Sequence, residues 1–402
     1  MKSIAIIGKN FGDEGKGLAC AFFAKNGGKT LIIKHNGGGQ AGHTVEDEKG
    51  RRFIHHQIGS GAEYGADTLL SDTFLADLYQ LGNELQEFKR IYGFAPRIYA
   101  EKGTRITIID DVLRNMFIES SRGAGRHGSC GMGINECVNR LESGYSLTIK
   151  DVQDRSSEEL IGILQDFRKN YGQKNIDEIK REFVQNNPGM EPEYYEMLTN
   201  SDVLENFVEC IKENVKLITL VDVSEEYLTA YDQVIFETGQ GLLLDNDYKP
   251  YAPFLTPSKT GLWNIARFLD NRKLPLDEVV YVTRSYVTRH GNGPLPHECN
   301  ISEIPGISKD LTNIDNQWQG SIRYARHGSI NDFVTPLNDD VATVNQYKSI
   351  KSTRISLLIT HLNETDDKIY FADQEIPFDS LKTRLLKDFG FYKIYGSRNR
   401  YL

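Results

Sequence analysis

Short β-branched runs that end in glycine punctuate the chain. Residues 3–8 (SIAIIG) are apolar at consecutive positions, the pattern of a strand covered on both faces, and a glycine-rich loop and a helical stretch from about Lys16 to Lys25 follow. Residues 30–35 (TLIIKH) repeat the pattern, with Gly37, Gly38 and Gly39 behind them. Two neighbouring strands then carry glycine loops at their carboxyl ends, where open α/β sheets bind ligands. Further along, 70–91 predicts a helix, 97–100 and 105–109 predict strands, and 123–133 is another glycine-dense loop. Buried strands are predicted at 234–238, 279–286, 355–362 and 392–396. The segment at about 156–216 is charged and helically periodic, and is expected to be a helical insertion forming a solvated layer without chemistry. The expected fold class is α/β: a large central, mostly parallel sheet with flanking helices.

Composition narrows the partners. Of 402 residues, 39% are hydrophobic and 26% charged, enough to bury a substantial core. Lys+Arg 47 against Asp+Glu 56 gives a net charge of -9, which argues against a nucleic-acid backbone as partner while leaving room for a local basic pocket. The five cysteines form no CxxC pair, so neither a disulfide framework nor a zinc site is indicated and a reducing, cytoplasmic setting is expected. The apolar run 4–7, between Lys2 and Lys9, is too short for a signal segment or a membrane span.

The first loop reads GKNFGDEGKG, residues 8–17. Its glycines let backbone amides approach an anion, the following helix adds positive potential, and Lys16 supplies a point charge for phosphate. A standard GxxxxGK[ST] phosphate loop would need glycine where Asn10 stands and a hydroxyl where Gly17 stands. Taken alone, Asp13 and Glu14 can equally be first-turn acids favoured by the helix dipole. The second loop, HNGGGQAGHTV at 35–45, puts His43 after a run of glycines on the same expected sheet edge as Asp13.

Together GDEGKG and GGGQAGHTV resemble the two amino-terminal signatures of the adenylosuccinate synthetase family, whose fold is related to the P-loop hydrolases. The resemblance continues in order. HGSCGMGI (127–134) is similar to the family's TTGRGIG loop, which grips the substrate 5′-phosphate, with Ser129 and Cys130 in place of two threonines. Arg140 falls where the family has an arginine that crosses the dimer interface to that phosphate. FETGQGLLLD (236–245) is similar to FEGAQGTLLD, placing Gln240 on the purine nucleotide, and Thr256 in FLTPSKT matches a further phosphate contact. YVTRHGNGPLPHE (286–298) is close to YTTRVGxGPFPTE. The resemblance spans nearly the whole chain, so 1–402 is read as one catalytic domain.

The resemblance implies a ligase that joins L-aspartate to carbon 6 of a 6-oxopurine nucleotide. Hydroxide is a poor leaving group, so oxygen 6 is first turned into a phosphate ester. Asp13 takes the purine N1 proton, and O6 attacks the γ-phosphate in line. Mg2+ held by Asp13 and the carbonyl of Gly42 bridges the phosphates, with His43 as the acid. The implied nucleotide-binding set is Gly12, Asp13, Glu14, Gly15, Lys16 and Gly17 with Gly42, His43 and Thr44, and Gln40 contacts the purine monophosphate. QGSIRYAR (319–326) occupies the family's aspartate loop, with Ser321, Arg323 and Arg326 as candidate clamps for the aspartate carboxylates; read by itself it can also be a basic surface loop. Tyr324 stands where an arginine normally reads the ribose. Gly396 and Ser397 resemble the remnant of a base-covering loop. A homodimer is implied, without membrane or nucleic acid.

The nucleotides follow from one substitution. The family's guanine-reading TKxD is THLN here, ending at Asn363. A carboxylate would repel the adenine N1 lone pair, whereas an amide donates to N1 and accepts from the 6-amino group. ATP (or dATP) is therefore expected as donor in place of GTP. With the lost arginine and the QGSIR loop, this resembles the divergent 2-aminoadenylosuccinate synthase branch, which adds aspartate to dGMP. An ordinary synthetase using IMP and GTP is the runner-up, and a regulator that kept the fold without catalysis is the competing class, opposed by intact Asp13, Lys16 and His43.

Overall fold

The computed structural model describes residues 1–122, 129, 131–173, 176–307 and 321–399. Nine strands form the central sheet: β1 (Lys2–Gly8), β2 (Thr30–Lys34), β3 (Asp67–Leu70), β4 (Ile98–Glu101), β5 (Ile218–Val221), β6 (Gln233–Gly241), β7 (Glu278–Arg284), β8 (Arg354–Thr360) and β9 (Lys393–Gly396). Their order is β9-β8-β7-β1-β6-β2-β3-β4-β5, and every pairing is parallel. The chain builds outward from β2 to β5 on one side of β1, returns to insert β6 between β1 and β2, and from β7 onward builds on the other side. The order reverses beside β1, so the crevice at its carboxyl end is the switch point where such sheets take ligands.

Strands covered on both faces explain the apolar runs. In β1, Ala5 and Ile7 join one core with Phe236, Tyr281 and Ile359, beneath helices Trp263–Asp270 and Ile330–Thr343. Ile4 and Ile6 join the opposite core with Ala19, Cys20 and Ala24 of helix Lys16–Asn26, whose small side chains let it lie close to the sheet. Beneath the helical segment, Leu160, Leu164, Phe207 and Ile211 extend a third core around helix Leu78–Tyr92. Helices Ile176–Asn186 and Glu193–Thr199 pack instead on Ile109–Ser121.

Three element expectations change. Residues 70–91 are not one helix: β3 ends at Leu70, a two-residue strand Leu75–Ala76 follows, and the helix starts at Leu78, where the Asp77 side chain accepts from the Gln80 N–H at 3.0 Å. The expected strand at 105–109 is only Arg105–Ile106, because the helix Ile109–Ser121 begins at once. Beyond Arg284 the chain leaves the central sheet, and Val287–Arg289 joins Glu298–Cys299 and Arg323–Ala325 in a small antiparallel sheet.

Candidate active site

Several separate segments close around a cavity of about 1380 Å³ at the carboxyl end of β1. Small-ligand pockets usually hold about 300–1,000 Å³, so this one has room for more than one ligand. Gly12, Asp13, Glu14, Gly15, Lys16, Gly17, Gln40, Gly42, His43, Thr44, Ser129, Gln240, Thr256, Thr360 and Asn363 all line it.

The first loop is shaped by left-handed backbone at Gly12 (φ 97), Asp13 (φ 59) and Gly15 (φ 98). Aspartate is one of the few non-glycine residues that take up this backbone readily, so Asp13 is held there by its turn. Glu14 is not a first-turn acid, since the helix begins at Lys16. Its buried carboxylate accepts from the backbone N–H groups of Asn10 and Gly12 at 2.9 and 3.0 Å and from Lys16 Nζ at 2.9 Å. Glu14 therefore fastens the loop on itself, and Lys16 is already paired within it. Outside supports complete the cradle: Thr360 Oγ1 donates to the Glu14 carbonyl at 2.7 Å, and Arg284 Nε donates to the Asp13 carbonyl at 2.6 Å.

A second cluster, which the motifs did not reveal, holds His43. Glu237 of β6 lies in register with Lys34 of β2. Its carboxylate accepts from Lys34 Nζ at 3.2 Å and the Ser60 N–H at 3.0 Å, and it lies 2.6 Å from His43 Nδ1. Burial would raise the Glu237 carboxyl, but the Lys34 ammonium and His43 hold it well below the usual carboxylate range. An ionised carboxylate only accepts, so Nδ1 carries the His43 proton and Nε2 is left for chemistry. Burial pushes the His43 imidazole down to about 4 against the pull of Glu237, so the ring is neutral without a ligand. The clue in the sequence was an acid in the middle of an apolar run, VIFET.

This packing also accounts for the departure from the standard phosphate loop. A Cβ on Gly17 would lie 2.8 Å from His43 Cβ and 3.1 Å from Ser60 Oγ. The hydroxyl residue of the standard motif has no room beside this histidine.

Other expected residues are placed differently. Arg140 is buried and faces away from the cavity, donating to Asp111 at 2.8–3.2 Å and to the carbonyl of Ile106 at 2.9 Å. In this chain its guanidinium braces the fold through Asp111. Arg323 pairs with the Glu298 carboxylate and donates to the carbonyls of Gly291 and Gly293. Arg326 donates to the Glu303 carbonyl and lies over the Tyr370 ring. Neither lines the cavity, nor does exposed Ser321, so the expected clamp is not assembled from these residues. Lys16, Arg52, Arg122, Arg284 and Arg289 are the Lys and Arg side chains lining the cavity among the described residues. Tyr324 is buried against Tyr286, off the cavity wall. Gly396 packs under Phe378, and the Ser397 hydroxyl donates to the Asn399 carbonyl; Asn399 lines the cavity instead of either. Cys130 and residues 319–320 of the aspartate loop lie outside the described residues.

Also on the cavity wall, Gln240 has a left-handed φ of 66. Asn36 ties the two loops together, donating to the Gly239 carbonyl at 3.0 Å and accepting from its N–H at 2.8 Å. Ser129 Oγ donates to Asn115 Oδ1 at 2.8 Å.

The profile described as Adenylosuccinate synthetase matches residues 5–358. The chain belongs to the adenylosuccinate synthetase family. It is thus a member of a family of carbon–nitrogen ligases. The adenylosuccinate synthetase of Thermosipho africanus is 27% identical over 313 residues, covering 77% of this chain and 70% of that protein. For that of Lactobacillus gasseri the identity is 27%, covering 74% and 65%. The match thus spans about two thirds of these relatives' length. The fold is shared with fully ligated adenylosuccinate synthetase from Plasmodium falciparum, at TM-score 0.62 and 18% identity, covering 91% of this chain and 78% of that one. It is shared as well with succinoaminodeoxyadenylate synthetase of cyanophage S-2L, bound to dGMP and dATP as an energy donor, at TM-score 0.58 and 13% identity, covering 100% and 93%. Among the described residues no helix is long and apolar enough to cross a membrane.

Proposed function

We propose that this family member joins L-aspartate to C6 of dGMP with ATP as phosphate donor, releasing ADP and phosphate. The observation that carries the nucleotide assignment is Asn363, which lines the cavity just beyond Thr360, the residue hydrogen-bonded to the phosphate loop. A base reaching Asn363 thus belongs to a nucleotide whose phosphates lie on residues 12–17. The amide donates to adenine N1 and accepts from its 6-amino group. The acceptor assignment is supported by Tyr324, which stands where the resemblance places a ribose-reading arginine and is buried against Tyr286. The cyanophage enzyme shows that such a fold accommodates dGMP and dATP.

In this reading Asp13 accepts the N1 proton, charge moves to O6, and O6 bonds to the γ-phosphorus as the bond to the β-phosphate oxygen breaks. The aspartate amine then bonds to C6, and the C6–O bond breaks to release phosphate. His43 gains its second proton at Nε2 when phosphate charge beside it offsets the cost of burial, and so donates to the developing anion. Asp13 and the carbonyl of Gly42 are oxygen donors at the cavity. Among the described residues no group of three or more His, Cys, Asp or Glu is assembled as a cage. Asp13 and Gly42 would hold Mg2+, a hard cation that binds oxygen donors. When bound, the ion neutralises phosphate charge. Assembly as a homodimer belongs to the same reading, and light scattering tests it.

The deciding assay follows phosphate release with aspartate and Mg2+, crossing IMP, GMP and dGMP with ATP, dATP and GTP. Turnover is expected with dGMP and ATP. Turnover only with IMP and GTP would make this an ordinary adenylosuccinate synthetase, and none with any pair would favour a regulator.

A further inference from the structure

His290 stands inside the segment YVTRHGNGPLPHE, 286–298. His290 follows the strand Val287–Arg289 and lines the cavity, with its Nε2 3.4 Å from Asp13 Oδ2. Both residues stand on fixed backbone. Below His290, the Arg289 guanidinium donates to the carbonyls of Pro294 and Phe254 at 2.6 and 3.0 Å and lies 4.6 Å over the Phe11 ring. Asp13 is held by its left-handed turn and by Arg284 on its carbonyl. His290 Nδ1 is buried and meets no hydrogen-bond partner among the described residues. A buried polar atom without a partner costs stability, and a valine or leucine would fill the same wall without that cost. The ring is therefore explained by its other nitrogen, the one aimed at Asp13.

We propose that His290 is a positioning residue for the Asp13 carboxylate. With a proton on Nε2, the imidazole donates to Oδ2, turning Oδ1 toward the purine N1 proton. That tautomer leaves a lone pair at buried Nδ1, a cheaper orphan than an N–H. The 3.4 Å separation is longer than a formed hydrogen bond, and such contacts tighten when substrate closes the site. The assignment rests on Asp13 being the base.

Steady-state phosphate release and thermal melting of His290→Leu, His290→Gln and Asp13→Asn test it. His290→Leu is expected to lower kcat by about 10- to 100-fold, with KM for both nucleotides and aspartate unchanged and the melting temperature unchanged or raised. His290→Gln keeps a donor and recovers most of the loss. Equal kcat in His290→Leu and wild type, equal loss in both variants, or a loss confined to KM overturns the proposal. Should His290→Leu not fold, His290→Asn, with a shorter reach than glutamine, replaces it in the comparison. Asp13→Asn reports separately on the base: retained turnover there removes the underlying reading, whereas its loss beside an unaffected His290→Leu removes only the role of His290.

Discussion

Gly17→Ser would bring the first loop closer to the standard GxxxxGK[ST] phosphate loop, yet it is expected to lower activity. The new Cβ would lie 2.8 Å from His43 Cβ, against an optimum of about 3.5–4.0 Å between carbons, so one of them must move by roughly 0.7 Å or more. The helix cannot retreat, because Ala19, Cys20 and Ala24 are packed on the sheet behind it. His43 is the part that gives, and it is held by its 2.6 Å contact with Glu237. Serine gains about 0.5 kcal/mol of helix propensity over glycine, while overpacking costs about 1–3 kcal/mol, so the crowding wins. If His43 acts as proposed, displacing it by about 1 Å costs on the order of 100-fold in rate. Denaturant unfolding and phosphate release on the same preparation measure both effects: a modest loss of stability with a large fall in kcat. Wild-type kcat in Gly17→Ser would refute the account of why this loop departs from the standard one.

Asn363→Asp should shift the kcat/KM ratio from ATP toward GTP by about 10² to 10⁴, read from competing donor titrations; an unchanged ratio sinks the adenine assignment. Arg140→Met should destabilise the fold by about 3–5 kcal/mol by leaving buried Asp111 unpaired, without changing nucleotide KM in the folded protein. A KM effect at full stability would restore Arg140 to the phosphate site. Burial pushes the Asp340 carboxyl up to about 7, opposed by the Leu262 N–H and the Tyr281 hydroxyl that bond to it. The folded chain then holds a proton that the unfolded chain releases. This contribution is complete below about pH 4 and falls by on the order of 4 kcal/mol as pH rises toward 7. Asp340→Asn should flatten that slope in denaturant unfolding from pH 4 to 7, and an unaltered slope would refute it.

Local chemistry was enough to locate the two amino-terminal glycine loops and seven of the nine strands of the central sheet; β3 (Asp67–Leu70) and β5 (Ile218–Val221), four residues each, were not predicted. Runs such as SIAIIG and TLIIK state burial on both faces directly, and glycine clusters mark where backbone must approach a ligand. Gln240, Thr256, Thr360 and Asn363 were likewise found from ordered motifs, and the fold brings them to one cavity. Partnership was not legible. Glu237 meets Lys34 and His43 only because β6 inserts between β1 and β2, joining residues about 200 positions apart. Glu14 looked like a helix acid until the turn at Gly12 and Asp13 folded its carboxylate back onto the loop amides. Arg140, Arg323 and Arg326 carry the charge that a phosphate or carboxylate site needs, but a guanidinium serves whichever acceptor the packing brings first, and here those are Asp111, Glu298 and backbone carbonyls. The sequence by itself determined most of the elements and where the glycine loops fall, because those depend on neighbours along the chain. Only the tertiary structure decided which charges face the cavity and which are consumed in holding it, because that depends on strand order and on distances set across the sheet.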